Sequence, residues 1–262
     1  MQQRLALVLT PDGVRYYAAA QQRVARPFHL RWLLPRLCGQ NPRRWTVTSQ
    51  CAIVALGALS AAYAGSVWMA CVAFLPGIAF SWRRPVLVDA TGMALALGAA
   101  LLLPIFWPAA VLLALVAGCV RETSPIWSSV YAWNPLLLVG LVPVAVRWLM
   151  RQGDDVLDAE NAWVLQHPIK ASRKYHAGLW ADPFTMVTPW GAMVVGLAGL
   201  DAQLAAALAL GYSQLIVATD SVRLYQWAAP VLALACVHVL PPWALPFVAL
   251  GVVFNPWKGS GL

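Results

Sequence analysis

The chain has 262 residues, of which 61% are hydrophobic and only 11% are charged, and its formal net charge is +8. Soluble globular domains carry about 25% charged and about 45–50% apolar residues, so this composition excludes a soluble domain with an ordinary core. The mean hydropathy of +0.67 and the 14 Trp residues, a type that collects at membrane–water interfaces, predict an all-α fold, a polytopic transmembrane helix bundle.

Residues 1–45 form a basic amphipathic segment rather than a membrane span. They contain eight Arg and a single Asp. A basic cluster of this kind indicates a cytoplasmic face beside anionic lipid, or a phosphate site that uses the planar fork of arginine. No recognition motif for nucleic acid accompanies the charge, so nucleic acid is not an expected partner. The first apolar run, Leu5–Leu9, ends before Pro11, and no signal peptide is predicted.

The rest of the chain contains roughly eight to nine apolar membrane segments, because a spanning helix needs about 20 mostly apolar residues. They fall into a first group over residues 46–150 and a second over 186–262, separated by a polar extramembrane loop over 151–185. Several are broken by Pro or Gly, which is typical of helices that bend around a cavity. The segments are Thr46–Ala64, Ser66–Phe80, Pro85–Leu103, Pro104–Val120, Asn134–Met150, Met186–Leu200, Gln203–Ala218, Gln226–Leu240 and Trp243–Phe254.

Three of the charged residues inside or between these apolar segments, Asp89, Arg121 and Glu122, are candidates for a site. An unpaired charge at the centre of a membrane helix costs on the order of 2.5–3.5 kcal/mol on insertion scales. Asp89 is either a first-turn carboxylate, which the helix dipole favours, or an acid that faces a cavity. Arg121 and Glu122 are either a buried structural pair or cavity-lining groups. Adjacent residues on a helix do not face each other, so these two are expected to have different partners.

Two later features carry weaker signals. Asp220 and Arg223 are spaced i, i+3, which predicts either an ion pair on a helix surface or a polar turn that lines a cavity. Asp201, between two apolar segments, is predicted to be a loop or cap residue. The aromatic residues Trp127, Tyr131 and Trp133 are predicted to anchor the chain at an interface, although such rings also stack on sugars or cover acyl chains.

The sequence predicts no metal site of its own. The five Cys are scattered singly, and without a C-x-x-C or Cys/His cluster neither a zinc site nor a disulfide framework is expected. Asp12, Asp89 and Glu122 offer oxygen ligands that a divalent metal could use, but no spacing requires one.

Five short motifs then follow one another in an order that resembles a known class of membrane enzyme. The order resembles bacterial polytopic membrane proteins of the GT-C glycosyltransferase type, and it covers most of the chain with motifs of two to five residues each. The motifs are Asp12-x-x-x-Tyr16, Arg31-Trp32-Leu33-Leu34-Pro35, Pro85-x-x-x-Asp89, Arg121-Glu122 and Asp220-x-x-Arg223.

The resemblance implies an enzyme of the bacterial inner membrane that moves a sugar from a polyprenyl-phosphate carrier to an acceptor. It implies that Asp12 is the first-loop acid, a candidate general base, and that Arg31 and Arg223 bind the lipid phosphate. Asp89 and Glu122 would line the cavity. The remaining motif residues, Tyr16, Arg121 and Asp220, would contact substrate. The implied donor is a polyprenyl-phosphate-linked sugar, and the implied partners are the bilayer and its anionic lipids.

The alternative is a membrane protein that is not an enzyme, either an accessory or assembly factor or a small-molecule transporter. In that case Asp89, Arg121 and Glu122 would form a polar path or would hold helices together. Transporters usually show two pairable halves, and the sequence shows no internal repeat. The accessory role is therefore the better form of this alternative.

Overall fold

Every regular element that the structure describes is a helix. The computed structural model describes Tyr16, Ala19 and residues 30–85, 87–150, 159–217 and 222–255, and no strand occurs among them. The predicted all-α class is therefore confirmed. The α-helices are α1 (Leu33–Cys38), α2 (Pro42–Ala64), α3 (Pro76–Arg83), α4 (Asp89–Leu102), α5 (Trp107–Val120), α6 (Ser124–Ala132), α7 (Val142–Leu149), α8 (Ala159–Gln166), α9 (Pro168–Tyr175), α10 (Ala177–Ala181), α11 (Ala202–Val217), α12 (Val222–Tyr225), α13 (Ala229–Val239) and α14 (Leu245–Val253).

Tighter 3₁₀ turns connect many of these helices. Such turns are common next to helix ends and where a helical path must bend. Pro lies at or near the start of several, where its missing N–H costs nothing. The 3₁₀ stretches are Val67–Phe74, Pro135–Leu141, Pro183–Met186, Thr188–Gly199, Gln226–Ala228 and Pro242–Ala244.

Helix α2 is the one helix of the described residues that is both long enough and apolar enough to cross a membrane. It has 23 residues, its most apolar window has a mean hydropathy of 1.5, and 39% of that window is buried within the protein. Five further apolar helices are shorter, at 10–17 residues. One spanning helix is thus supported by length and composition, and the remaining predicted spans stay a prediction.

The chain forms two compact units. Unit 1 comprises residues 1–56 and 81–158, and unit 2 comprises residues 57–80 and 159–262. In unit 1, α4 packs against α5 and α6, and α5 packs against the 3₁₀ stretch Pro135–Leu141. Ala99, Ala110, Ala114 and Leu137 form a buried cluster at these contacts. Small side chains let helix backbones approach closely, as in helix pairs inside membranes.

Two glycines of unit 1, Gly118 and Gly140, lie directly against neighbouring backbone. A Cβ added to Gly118 would lie 2.1 Å from the carbonyl oxygen of Gly140, and one added to Gly140 would lie 2.4 Å from the carbonyl oxygen of Ala114. Neither position has room for a side chain. Because only a hydrogen atom fits at these two Cα positions, glycine allows α5 to pack closely against the 3₁₀ stretch Pro135–Leu141.

A buried amide organises unit 2. Gln226 is fully buried; its Oε1 accepts a hydrogen bond from the Gly77 N–H at 2.7 Å, and its Nε2 donates to the Pro189 carbonyl at 3.0 Å. A buried amide that leaves its donors and acceptors unpaired costs free energy, so both bonds favour one arrangement of three distant segments. In the same unit, α13 and α14 both pack against the 3₁₀ stretch Thr188–Gly199.

Short polar side chains set where several helical segments begin. Asn134 Oδ1 accepts the Leu136 N–H at 2.9 Å, and Asp182 Oδ1 accepts the Phe184 N–H at 3.0 Å. Asp201 Oδ1 accepts the Leu204 N–H at 2.7 Å, just at the start of α11. An N-cap oxygen that binds an otherwise unpaired N–H stabilises the helix start, and the prediction that Asp201 is a loop or cap residue is confirmed.

The interface role predicted for two of the three aromatic residues is wrong. Trp127 is 0% exposed and Tyr131 is 2% exposed, with their ring centroids 5.8 Å apart. Their i, i+4 spacing on α6 places both rings on one helix face, and that face points into unit 1. Trp133 lies beyond the helix end with a positive φ of 49° and is 57% exposed, so only this ring remains available to an interface.

We expect Gly118→Ala to destabilise unit 1, because the new methyl group would collide with the Gly140 carbonyl. Overpacking of this kind costs about 1–3 kcal/mol, which would lower the thermal midpoint by about 2–12 °C. Tryptophan fluorescence of the detergent-solubilised protein measures the midpoint. Leu112→Ala, at a 62% exposed position on the same helix, is the control and should melt close to wild type. Equal midpoints for Gly118→Ala and wild type would contradict this packing.

Candidate functional site

Residues from four separate parts of the sequence meet in a polar site inside unit 1. Arg31 donates from Nε to Glu122 Oε2 at 2.7 Å and from Nη2 to Glu122 Oε1 at 2.5 Å. Its third nitrogen, Nη1, donates to the Tyr16 hydroxyl at 2.5 Å. The guanidinium therefore uses its planar fork on one carboxylate, the bidentate geometry that makes arginine–carboxylate pairs strong and directional.

Arg121, the residue directly before Glu122, forms a second ion pair. Arg121 Nη1 donates to Asp89 Oδ1, and both side chains are only 7% exposed. Arg121 Nε also donates to the Thr123 hydroxyl at 3.3 Å. We refer to Tyr16, Arg31, Asp89, Arg121 and Glu122 together as the charge cluster.

The chain positions these side chains at helix ends. Asp89 is the first residue of α4, as one of its two sequence interpretations required. Arg121 ends α5 in an extended conformation, with φ −148° and ψ 128°, and α6 begins at Ser124. Because the backbone is extended at Arg121, neighbouring side chains leave it in different directions. The prediction that Arg121 and Glu122 have different partners is confirmed, since one binds Asp89 and the other Arg31.

The pairing of Arg31 with Glu122 matters because both side chains are largely buried. The side chains of Arg31 and Glu122 are only 12% and 19% exposed. Burial by itself raises the pKa of a carboxyl group, because it penalises the charged form. At Glu122 the charge and hydrogen bonds of Arg31, with the charge of Arg121, together outweigh this effect and lower the pKa to about 2. At Arg31 burial acts to lower the pKa, yet Glu122 and Tyr16 raise it well above its ordinary value, so both groups stay charged.

An apolar cluster lies against this site. It contains Tyr16, Leu34, Cys38, Trp45, Val88 and Val120. Tyr16 thus belongs to both, with its ring packed among apolar side chains and its hydroxyl bound to Arg31. Hydrogen bonds to charged groups are stronger where water is excluded, and the apolar neighbours keep water away from this one.

The structure brings together five of the eight predicted site residues in unit 1. Tyr16, Arg31, Asp89, Arg121 and Glu122 form the charge cluster. Arg223 belongs to unit 2, where it is 8% exposed and its guanidinium carbon lies 5.7 Å from the Phe80 ring centroid. Asp12 and Asp220 lie outside the described residues.

Sequence reasoning missed one partner of the charge cluster and two polar residues outside it. Thr123 supplies a hydroxyl to Arg121, and its place directly after the Arg-Glu pair was a usable signal. Arg147 lies over Trp32, with 5.9 Å from its guanidinium carbon to the ring centroid. Gln226 was not singled out, although a polar residue at the start of an apolar segment must find hydrogen-bond partners when it is buried.

Within the part of the chain that the structure describes, no group of three His, Cys, Asp or Glu side chains is arranged to hold a metal ion. Asp89 and Glu122, two of the three carboxylates considered as oxygen ligands, each bind an arginine instead. Comparison with protein families, curated proteins and solved structures found no match to this chain. The site is therefore interpreted from its own geometry.

We expect the Arg31–Glu122 pair to show strong energetic coupling. Removing one partner of a buried ion pair leaves an uncompensated charge and costs about 3–5 kcal/mol, so Arg31→Leu and Glu122→Leu should each lower the thermal midpoint strongly. The double variant should be less damaged than the sum of the two, because neither charge then remains. Thermal denaturation of wild type, the two single variants and the double variant in the same detergent completes this double-mutant cycle. Additive losses would show that the two side chains do not act as a pair.

The same pair predicts an acid sensitivity with a definite sign. The pKa of Glu122 is lower in the folded protein, at about 2, than the value of about 4.3 for an unperturbed glutamate. Its stabilising contribution is therefore complete above about pH 4.3 and is lost as the pH falls toward 2. Unfolding midpoints measured from pH 6 to pH 2.5 should fall more steeply for wild type than for Glu122→Gln. Parallel curves for the two proteins would contradict the assignment.

Proposed function

We propose that this chain is an integral membrane protein resembling polyprenyl-phosphate-sugar-dependent glycosyltransferases, and that it moves a sugar from a lipid-phosphate donor to an acceptor. The supporting observation is the convergence of Tyr16, Arg31, Asp89, Arg121 and Glu122 in one cluster. These residues come from motifs whose order alone suggested the resemblance. Their meeting is what a shared site requires.

The surroundings favour a bilayer as the solvent. Many large apolar side chains point out of the two units, including Ile105 at 79% exposed, Leu149 at 76% and Phe247 at 67%. Monomeric soluble proteins rarely expose large contiguous apolar patches. Exposed Trp residues at helix ends, such as Trp107 and Trp148, are typical of membrane interfaces. We therefore propose that several of the shorter apolar helices also lie in the membrane. The resemblance alone suggests that this is the inner membrane of a bacterium.

The geometry refines the roles that the resemblance implies. Nε and Nη2 of Arg31 already donate to the Glu122 carboxylate, so a phosphate could bind there only by competing with that carboxylate. We assign Arg31 to positioning, since it holds the segment that contains Tyr16. Arg223 is the other arginine that the resemblance assigns to the lipid phosphate, and an arginine binds two phosphate oxygens at once. Asp12, four residues before Tyr16 in the sequence, remains the proposed general base.

The resemblance also assigns Asp89, Arg121, Glu122 and Asp220 to substrate binding. Sugar transfer to a hydroxyl needs a base near the acceptor and positive charge near the departing phosphate. No metal is required for that chemistry in this assignment. The donor supplies an activated anomeric carbon, and the protein's task is to orient the two substrates and exclude water.

A second candidate is an accessory or assembly role without catalysis. The observation that favours it is the mutual neutralisation of the charge cluster, in which each carboxylate pairs with one arginine. Such a cluster could serve only to hold helices together. The two candidates differ in one measurable property, turnover of a lipid-linked sugar.

The test uses the full-length protein in proteoliposomes with polyprenyl-phosphate-linked [14C]-hexoses and an acceptor-containing membrane extract. We expect transfer by wild type and losses of about 10²–10³-fold, the size seen when one charge-stabilising group is removed, in Asp12→Asn and in Arg223→Gln. The controls are Asp182→Asn and Arg43→Gln, which make the same chemical changes at exposed positions. Full transfer by both site variants would overturn the proposed roles, and no transfer by folded wild type from any hexose donor would favour the accessory role.

A further inference from the structure

Helix α9, in the stretch predicted to be a polar loop, has two different faces. Lys170, Arg173 and Lys174 are exposed, while Ala171 is 1% and Ser172 is 3% exposed. Among the described residues, no carboxylate forms an ion pair with any of these three cations; the contacts of Arg173 and Lys174 are with aromatic rings. Three cations on one helix face without acidic partners make a surface that attracts anions.

Exposed apolar side chains surround these cations in the same segment. Leu165 is 57% exposed, Ile169 62%, Trp180 53% and Phe184 77%. Contact of such side chains with water is unfavourable in proportion to their apolar area. A mixture of cations and large apolar side chains is typical of helices that lie at the headgroup level of a membrane, and it is a poor match for nucleic acid, which offers charge but little apolar surface.

Two of the three cations, Arg173 and Lys174, lie over aromatic rings. The guanidinium carbon of Arg173 lies 5.6 Å from the Trp180 ring centroid. Lys174 Nζ lies 5.1 Å from the Trp163 centroid and 5.2 Å from the Tyr175 centroid. Cation–π contacts of this length are attractive. They reduce the side-chain freedom that would otherwise be lost on binding.

A cavity lies behind the same helix. Its volume is about 100 Å³, and it is lined by His176, Trp180, Met186, Tyr212, Leu215 and Ile216, with Ser172 of α9 at its wall. The Tyr212 hydroxyl donates to the Met186 carbonyl at 2.8 Å and accepts the Trp190 indole N–H at 3.0 Å, so this polar group of the wall is already satisfied. Most of the remaining lining is apolar, which suits a short length of hydrocarbon chain.

Trp180 connects the cations with the cavity. Arg173 lies over its ring, and the same side chain lines the cavity. We propose that α9, α10 and the start of the following 3₁₀ stretch form a binding site for an anionic phospholipid. The phosphate meets Lys170, Arg173 and Lys174, and part of one acyl chain enters the cavity beside Trp180. This site is separate in kind from the proposed sugar transfer and requires no turnover.

Native mass spectrometry of the full-length protein in detergent tests the site. Phosphatidylglycerol and phosphatidylcholine with identical acyl chains are added at equal concentration, and bound lipids are counted. We expect wild type to retain phosphatidylglycerol at least ten times more strongly. Lys170→Gln/Arg173→Gln/Lys174→Gln should lose that preference. The control Arg83→Gln/Arg84→Gln, which removes two arginines that lie outside both α9 and the basic segment 1–45, should keep it. Absence of a preference in wild type, or equal loss in the control, would overturn the proposal.

Two further experiments test whether the cavity holds an acyl chain and whether the bound phosphate belongs to a phospholipid. Ile216→Trp fills the cavity from its wall and leaves the three cations in place. It should lower retention of phosphatidylglycerol while thermal stability without lipid is unchanged, and unchanged retention would overturn the acyl-chain part.

Competition with other phosphates identifies the ligand. Glycerol 3-phosphate should compete poorly with phosphatidylglycerol, and strong competition would show a site for free anions. A polyprenyl phosphate that displaces phosphatidylglycerol at equal concentration would show that the carrier lipid, rather than a phospholipid, is the ligand.

Discussion

The bidentate pair between Arg31 and Glu122 is the interaction on which the arrangement of unit 1 depends. It joins residues 91 positions apart, at the approach to α1 and in the turn between α5 and α6. Both charges are largely shielded from water, so each needs the other. Low dielectric strengthens the attraction and makes loss of a partner costly. Through its third nitrogen Arg31 also fixes Tyr16, which connects an early part of the chain to this turn.

Both units combine apolar helices with a small number of polar contacts that determine register. Dispersion and apolar burial hold small-residue helices together but distinguish poorly between nearby alignments. A buried group that must be paired distinguishes them well, since a wrong alignment leaves it without a partner. In unit 1 the charge cluster has this role, and in unit 2 Gln226 has it by bonding Gly77 and Pro189. The close approach of Gly118 to Gly140 adds a steric condition.

This organisation limits the chemistry that the charge cluster can perform. Asp89 and Glu122 are both engaged by arginine. At Glu122 this keeps the pKa low, so this carboxyl is a poor proton donor near neutral pH. A carboxylate whose charged form is stabilised by an arginine is also a weak proton acceptor, so the proposed general base is a different carboxylate, Asp12, which the motif order supplies. The cations of α9 serve a different purpose, because they stand beside exposed apolar side chains and rings rather than beside buried carboxylates.

Composition and local pattern by themselves determined the all-α class, the loop or cap position of Asp201 and the divergence of Arg121 and Glu122, and they offered a first-turn carboxylate as one of two interpretations of Asp89. These follow from short-range physics: hydrophobic content, helix dipoles, caps and the angular spacing of neighbours. Only the tertiary structure decided that Glu122 pairs with Arg31, that Trp127 is buried, that Gly118 lies against Gly140 and that Gln226 joins distant segments. Each of these depends on which helix faces meet, and contacts between residues far apart in sequence leave no local pattern. Many apolar faces of this chain are alike in composition, so the choice among them was made by steric fit and by the pairing of a few buried polar groups.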